Sequence, residues 1–183
     1  HRDLHSFPTR RSSDLSEFDL IYECAFPVLM KILTRMTGDA EAAEELCQET
    51  FIKLYQRPDG FPSREEATYW LIRVAKNLAL NHGKRKWRET AAYHKALKIP
   101  PRPVDSGEAA YLKNEESRKV REALAGLPRK LREVLVLKEY GDLSYREIAS
   151  VLRISEGNVK VRVYRARERL AGILRDSEEK HVP

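Results

Sequence analysis

Only two cysteines, Cys24 and Cys47, occur in 183 residues, too few for a disulfide framework and at no zinc-ligand spacing. Both fall at apolar-periodic positions, so each is expected to be a buried structural thiol in a reducing cytoplasm. No apolar run approaches membrane-spanning length, and no secretory signal is evident. A clustered His/Asp/Glu metal set, a Gly-rich phosphate loop and a nucleophile motif are all lacking, and His82 and His94 stand alone. A nucleic-acid enzyme therefore finds no support, and neither a metal nor a cofactor is expected. What the chain has in abundance is charge. Charged residues make up 34% and the formal balance is +6, which favours a polyanionic partner. With 42% apolar content, one or two small domains can form.

The most informative stretch runs from Leu143 to Leu174. Ser144 followed by Glu147 is a capping box, so a helix should start at Tyr145, with Ile148, Ala149 and Leu152 at helical spacing. Ile154 packs beside the turn and Ser155 caps a second helix reaching about Leu174. One side of that helix gathers Val159, Val163, Ala166 and Leu170. The other carries Val161, Tyr164, Arg165 and Glu168, flanked by Lys160, Arg162, Arg167 and Arg169. A merely solvated face rarely sets a valine and a tyrosine among arginines. A helix entering a major groove needs that mixture, guanidinium forks for guanine edges and phosphates and small apolar groups for thymine methyls. Capped helix, turn and second helix together make a helix-turn-helix, with Arg153 where many such motifs have glycine.

The preceding chain divides by composition. His1 to Leu15 is Arg/Ser-rich and aperiodic, and it closely resembles a translated sequencing-adapter fragment fused to an incomplete gene end. It is expected to be non-native and is set aside, a basic arm being the alternative. From Ser16 to Thr37 the apolar residues Phe18, Ile21, Ala25, Leu29, Ile32 and Leu33 recur at helical steps, and Pro27 predicts a kink or two short helices. A second helix from Ala40 to about Gln56 buries Ala43, Leu46, Cys47, Thr50, Phe51 and Leu54. Its acidic first half suits the helix dipole, and the stripe Glu41, Glu45 and Gln48 could equally dock a basic protein surface.

After the loop RPDGFP, Ser63 and Glu66 form a second capping box, opening a long helix from Arg64 toward Lys86. Ala67, Trp70, Leu71, Val74 and Leu78 make its core face, while Tyr69, Arg73, Lys76, Leu80 and Lys84 share another strip. Between Arg73 and Arg88 lie six basic residues and no acid. Cations interleaved with an aromatic and with Asn77 and Asn81 suit single-stranded nucleic acid, and a solvated basic helix is the plainer alternative. Residues 89–114, with Pro100, Pro101, Pro103 and Gly107, read as a mobile linker. Helical periodicity resumes near Glu115, breaks at Gly126, restarts after Pro128 and ends at Gly141. The expected fold is all-α: a helical domain over 16–88, a linker over 89–114, a helix-turn-helix domain over 115–176 and a tail over 177–183.

These features together resemble the extracytoplasmic-function class of bacterial sigma factors. AEELCQETFIKLY and ATYWLIRVAKNLALNHGKRK are similar to their region 2, and the run from Leu127 to Leu170 to their region 4. The resemblance implies a promoter-specificity subunit, not an enzyme, whose partners are core RNA polymerase, promoter DNA and commonly an anti-sigma protein. It implies that Glu41, Glu45, Gln48 and Glu49 grip the clamp helices of the polymerase largest subunit, with Glu45 standing where the family usually has aspartate. The loop Asp59, Gly60, Phe61, Pro62 and Ser63 would capture a flipped −10 base, beside Arg73, Lys76, Asn77 and Lys84. Asn81 replaces a common aspartate. Lys160, Val161, Arg162, Tyr164 and Arg165 would reach −35 base edges or flanking phosphates, and Ser155, Asn158 and Arg167 would hold the backbone. Asn158 replaces a common threonine. Residues 128–140 would help dock the β flap. The rival expectation is an autonomous helix-turn-helix regulator that binds duplex DNA without polymerase, which leaves the Trp-bearing helix and the acidic stripe without a purpose.

Overall fold

The computed structural model describes residues 12–57, 59–97 and 115–179, with side chains described for 17–57, 59–93 and 118–177. Seven helices account for the regular structure among these residues: α1 (Ser12–Thr37), α2 (Ala40–Tyr55), α3 (Arg64–Leu97), α4 (Glu115–Gly126), α5 (Arg129–Tyr140), α6 (Tyr145–Leu152) and α7 (Glu156–Glu179).

Helices α1, α2 and α3 form one bundle because each carries an apolar stripe, and a tight turn joins α1 to α2. Gly38 takes the left-handed φ of 74° that ends α1, and the Asp39 carboxylate then caps α2 by accepting from Glu41 and Ala42. Ala25, Leu29, Ile32 and Leu33 of α1 meet Ala43, Leu46, Cys47, Phe51 and Leu54 of α2 and Ala67, Leu71, Ile72, Ala75 and Ala79 of α3. All six residues expected to be buried in the second helix are buried.

Several expectations need correction. Pro27 does not divide α1, which is a single helix with the proline inside it. The missing hydrogen bond is tolerated because Ala25 and Leu29, on either side, are wholly buried against the other helices. The helix also begins at Ser12, inside the segment set aside as non-native. Cys24 is exposed while Cys47 is buried, since the core stripe of α1 follows Ile21, Ala25 and Leu29 and Cys24 lies off it. Helix α3 continues to Leu97, beyond the expected linker boundary. Residues 85–97 hold no proline or glycine, and the Arg85–Glu89 pair at 3.7 Å supports the added turns. The rest of the expected linker, 98–114, lies outside the described residues. On α3 the buried face includes Ile72, Ala75 and Ala79, while Trp70, Val74 and Leu78 are only partly buried.

The second bundle, α4 to α7, packs around Leu124, Leu127, Leu135 and Ala166, with Leu131, Leu170 and Ile173 against them. The two bundles touch. One core cluster runs from Leu29 and Leu71 through Val134, Leu137, Ile148, Val151, Val159 and Val163. Gly141, after α5, sits against Ile32 of α1, where a Cβ would come within 3.3 Å of the Ile32 methyl and 2.6 Å of the Leu137 carbonyl. The Arg35 guanidinium lies 4.9 Å above the Tyr140 ring across the same seam.

Candidate nucleic-acid interface

The helix-turn-helix forms as its sequence requires. The Ser144 hydroxyl accepts from the Glu147 amide (3.3 Å), and the Glu147 carboxylate accepts from the Ser144 amide (2.6 Å), completing the capping box that starts α6. Arg153 closes α6 at φ 55°, ψ 50°, and its amide donates to Ala149. This is the left-handed position that glycine commonly fills. Ser155 then caps α7, its hydroxyl accepting from the Asn158 amide at 3.3 Å.

Helix α7 buries Val159, Val163 and Ala166 and turns the opposite side outward. Val161 is 47% and Tyr164 64% exposed, a degree of apolar exposure that burial in this fold does not account for. Ser155, Asn158, Lys160, Arg165 and Arg167 are exposed and Arg162 is half-buried. Intramolecular partners divide the cations. Lys160 pairs with Glu156 (2.9 Å), and Arg167 donates from two nitrogens to Glu139 of α5 (2.6 and 3.3 Å). Arg162 and Arg165 make no ion pair among the described residues. The Tyr164 hydroxyl donates to Glu168 (3.0 Å), which raises its pKa and keeps it a neutral ring with a polar tip.

The first bundle presents two further surfaces. On α2, Glu41, Glu45, Gln48 and Glu49 are all exposed, and Glu49 is partly engaged by Lys53 at 3.4 Å. The stripe continues into Ile52 and Tyr55, 53% and 54% exposed, which the sequence did not single out. Their apolar character at the same helical spacing was the available signal. The loop before α3 carries Asp59, Gly60 and Pro62 exposed, with Phe61 and Ser63 half-buried. The Phe61 ring packs on Trp70 at 5.6 Å and lies under the Arg57 guanidinium at 4.2 Å. Beside it opens a cleft of about 470 Å³ lined by Glu17, Leu20, Phe61, Pro62, Ser63, Arg64 and Glu65. The Ser63 hydroxyl accepts from the Glu66 amide at 3.2 Å. Glu65's own amide and the Ser63 hydroxyl hold the Glu65 carboxyl below its usual range.

The basic strip of α3 is split. Its upper half is covered by the second bundle. The Tyr69 hydroxyl donates to Glu147, the Arg73 guanidinium reaches the Ser150 carbonyl (3.4 Å) and hydroxyl (3.5 Å), and burial lowers the Lys76 pKa, opposed by Glu133. Asn77, Asn81 and Lys84 remain exposed. The strip also extends to Trp87, 72% exposed, which shares a groove with Met36, Leu80, Lys84, Arg129 and Arg132. Trp87 was missed because it lies one residue past the expected end of the helix. The structure thus brings Arg73 and Lys76 to the interdomain seam, while the loop before α3 and the α7 face stay separate surfaces.

Two helical bundles, one bearing a helix-turn-helix with an outward Arg/Tyr/Val face, define a DNA-reading protein of the two-module kind. Residues 21–89 match the model for Sigma-70 region 2, and residues 117–170 match that for Sigma-70, region 4. The chain is 33% identical over 167 residues to RNA polymerase sigma-H factor of Pseudomonas aeruginosa, covering 85% of this chain and 84% of that one. It is 32% identical over 174 residues to ECF RNA polymerase sigma factor SigW of Bacillus subtilis, covering 91% and 93%. In fold it is similar to the sigma factor RpoE of Bartonella quintana, solved with the anti-sigma factor NepR (TM-score 0.70, 24% identity, 87% and 98% covered). It is also similar to CnrH, solved with the cytosolic domain of CnrY (TM-score 0.65, 22% identity, 90% and 92% covered). The chain belongs to the extracytoplasmic-function RNA polymerase sigma factors. Its function is that of a sigma subunit in transcription initiation, and the autonomous-regulator alternative is set aside. Among the described residues no helix is long and apolar enough to cross a membrane.

Proposed function

We propose that α7 reads the −35 element as duplex, with Val161, Arg162, Tyr164 and Arg165 toward base edges, and with Ser155, Asn158, Lys160 and Arg167 toward phosphates. The outward Val161 and Tyr164 beside Arg162 and Arg165 are the observation that carries this assignment. Lys160 and Arg167 must exchange their carboxylate partners for phosphates, so their net contribution is smaller than that of Arg165. The cleft bounded by Phe61, Pro62 and Ser63 takes a base extruded from the −10 element, and Asp59, Gly60, Arg73, Lys76, Asn77 and Lys84 hold the strand around it. Glu41, Glu45, Gln48 and Glu49 dock the basic clamp helices of core polymerase, with Ile52 and Tyr55 supplying an apolar end to that surface. The working modules are 16–88, extended by α3, and 115–176. The protein acts in the cytoplasm, provides no catalytic group of its own, and is open to regulation by an anti-sigma protein. Because α6 covers Tyr69 and Arg73, strand capture requires the two bundles to part.

In vitro transcription with core polymerase and a genomic promoter library tests the assignment. Arg165→Ala should reduce transcription from −35-dependent promoters by about tenfold, the cost of one lost base contact, while leaving affinity for core polymerase unchanged. Equal loss of core affinity in a pull-down would overturn the role given to α7.

A further inference from the structure

We infer that Arg57, which none of the functional surfaces above includes, is a positioning residue that sets the shape of the base-capture cleft and hence its base selectivity. The inference rests on the proposed capture of a −10 base by the loop before α3. Arg57 stands at the point where α2 gives way to that loop, its amide still bonded to the Leu54 carbonyl at 3.1 Å. Its side chain turns back over the loop. The Nε–H donates to the Asp59 carbonyl at 3.0 Å, and the guanidinium carbon lies 4.2 Å from the centre of the Phe61 ring and 5.4 Å from that of Trp70. Phe61, the Arg57 guanidinium and the indole of α3 therefore form one mutual cluster, with ring centroids 5.6 Å apart and planes inclined by 55°.

Two consequences follow. Phe61 lines the cleft while Arg57 and Trp70 pack against it, so it serves as a wall held in place. The loop backbone is tied at Asp59, immediately before Gly60, so the Phe61–Pro62–Ser63 edge of the cleft is presented in one conformation. Arg57 itself does not line the cleft. It acts through Phe61 and the Asp59 carbonyl, by one cation–π contact and one charge-assisted hydrogen bond. A lysine could keep the charge over the ring. It could not combine that contact with an Nε–H donated to the Asp59 carbonyl.

The test uses the full chain bound to core polymerase and a pool of promoter fragments, unpaired across the −10 region and randomised there; bound fragments are sequenced. Arg57→Ala should lower the base preference at one −10 position by about tenfold, the size expected when both contacts are lost. Preference at the −35 element and affinity for core polymerase should be unchanged, and Arg57→Lys should recover part of the lost selectivity. Far-ultraviolet circular dichroism and thermal melting of the free chain, followed on the same variants, report any collapse of the bundle. An unchanged −10 profile in Arg57→Ala overturns the inference. So does a loss spread evenly over all positions together with a lowered melting temperature, since that marks a merely structural residue. A wild-type protein without base preference at any −10 position sinks the capture reading itself, whereas wild-type preference that survives Arg57→Ala sinks only the role of Arg57.

Discussion

Arg153 sits between α6 and α7 with φ at 55°, where its Cβ crowds the following carbonyl. Nothing in the turn requires a side chain there, and glycine adopts this geometry without that penalty. Arg153→Gly is expected to stabilise the protein by up to about 1 kcal/mol, part of the steric relief being offset by the greater freedom of glycine in the unfolded chain. Urea denaturation measures it, and a loss of stability would show that the side chain contributes more than the strain costs. The cysteines make a second residue-scale case. Burial pushes the Cys47 thiol up to about 11, and that side chain is 1% exposed, while Cys24 is exposed on α1. A thiol reagent at mildly alkaline pH should label one cysteine in the native protein and the second only after unfolding. Mass spectrometry of the labelled chain identifies which one, and prompt labelling of Cys47 would show that α1 and α2 separate readily.

At the scale of elements, α6 is one of the junctions between the two bundles. Glu147 closes its capping box and also accepts from Tyr69 of α3. The Tyr69 hydroxyl first, and then the Ser144 amide and hydroxyl, hold the Glu147 carboxyl below its usual range. A depressed carboxyl stabilises the folded state above its unfolded value, about 4, and that contribution is lost as pH falls through the lower folded value. Glu147→Gln should therefore flatten the dependence of stability on pH in the acid range and narrow the gap to wild type there. Denaturation curves at a series of pH values between neutrality and about 3 check this; parallel wild-type and variant curves would remove the carboxylate from the account. The same bond raises the pKa of Tyr69, so the hydroxyl that makes the latch keeps its proton to a higher pH than an ordinary tyrosine.

For the molecule as a whole, the joint between the bundles depends on close approach at Gly141. A methyl group there meets the Leu137 carbonyl at 2.6 Å, which is backbone and cannot swing aside, and Ile32 at 3.3 Å. Gly141→Ala should destabilise the protein by about 1–3 kcal/mol and loosen the contact of α1 with the end of α5. Small-angle scattering should then report a larger radius of gyration, and hydrogen exchange should speed up in α6. A compact variant of wild-type stability would mean that the turn adjusts without parting the bundles.

The local elements of this protein were legible in its sequence because they depend on neighbours three and four residues apart. The capping box at Ser144 and Glu147, the buried stripe of α2, the cap at Ser155 and the outward face of α7 all follow from helical spacing and short-range hydrogen bonding, and each forms as that spacing requires. Other features depend on what packs against what, and no spacing rule contains that. Pro27 stays within one helix because distant residues clamp it on both sides. Cys24 and Cys47, alike in pattern, part company because only one faces a neighbouring helix. Arg73 and Lys76, which read as an open basic strip, lie at a seam with α5 and α6 because a single core joins both bundles. The family and its two helical modules were thus written in residue order, while the covered strip, the latch at Glu147 and the Arg57–Phe61–Trp70 cluster were decided by tertiary contacts, since each joins groups that the chain brings together only on folding.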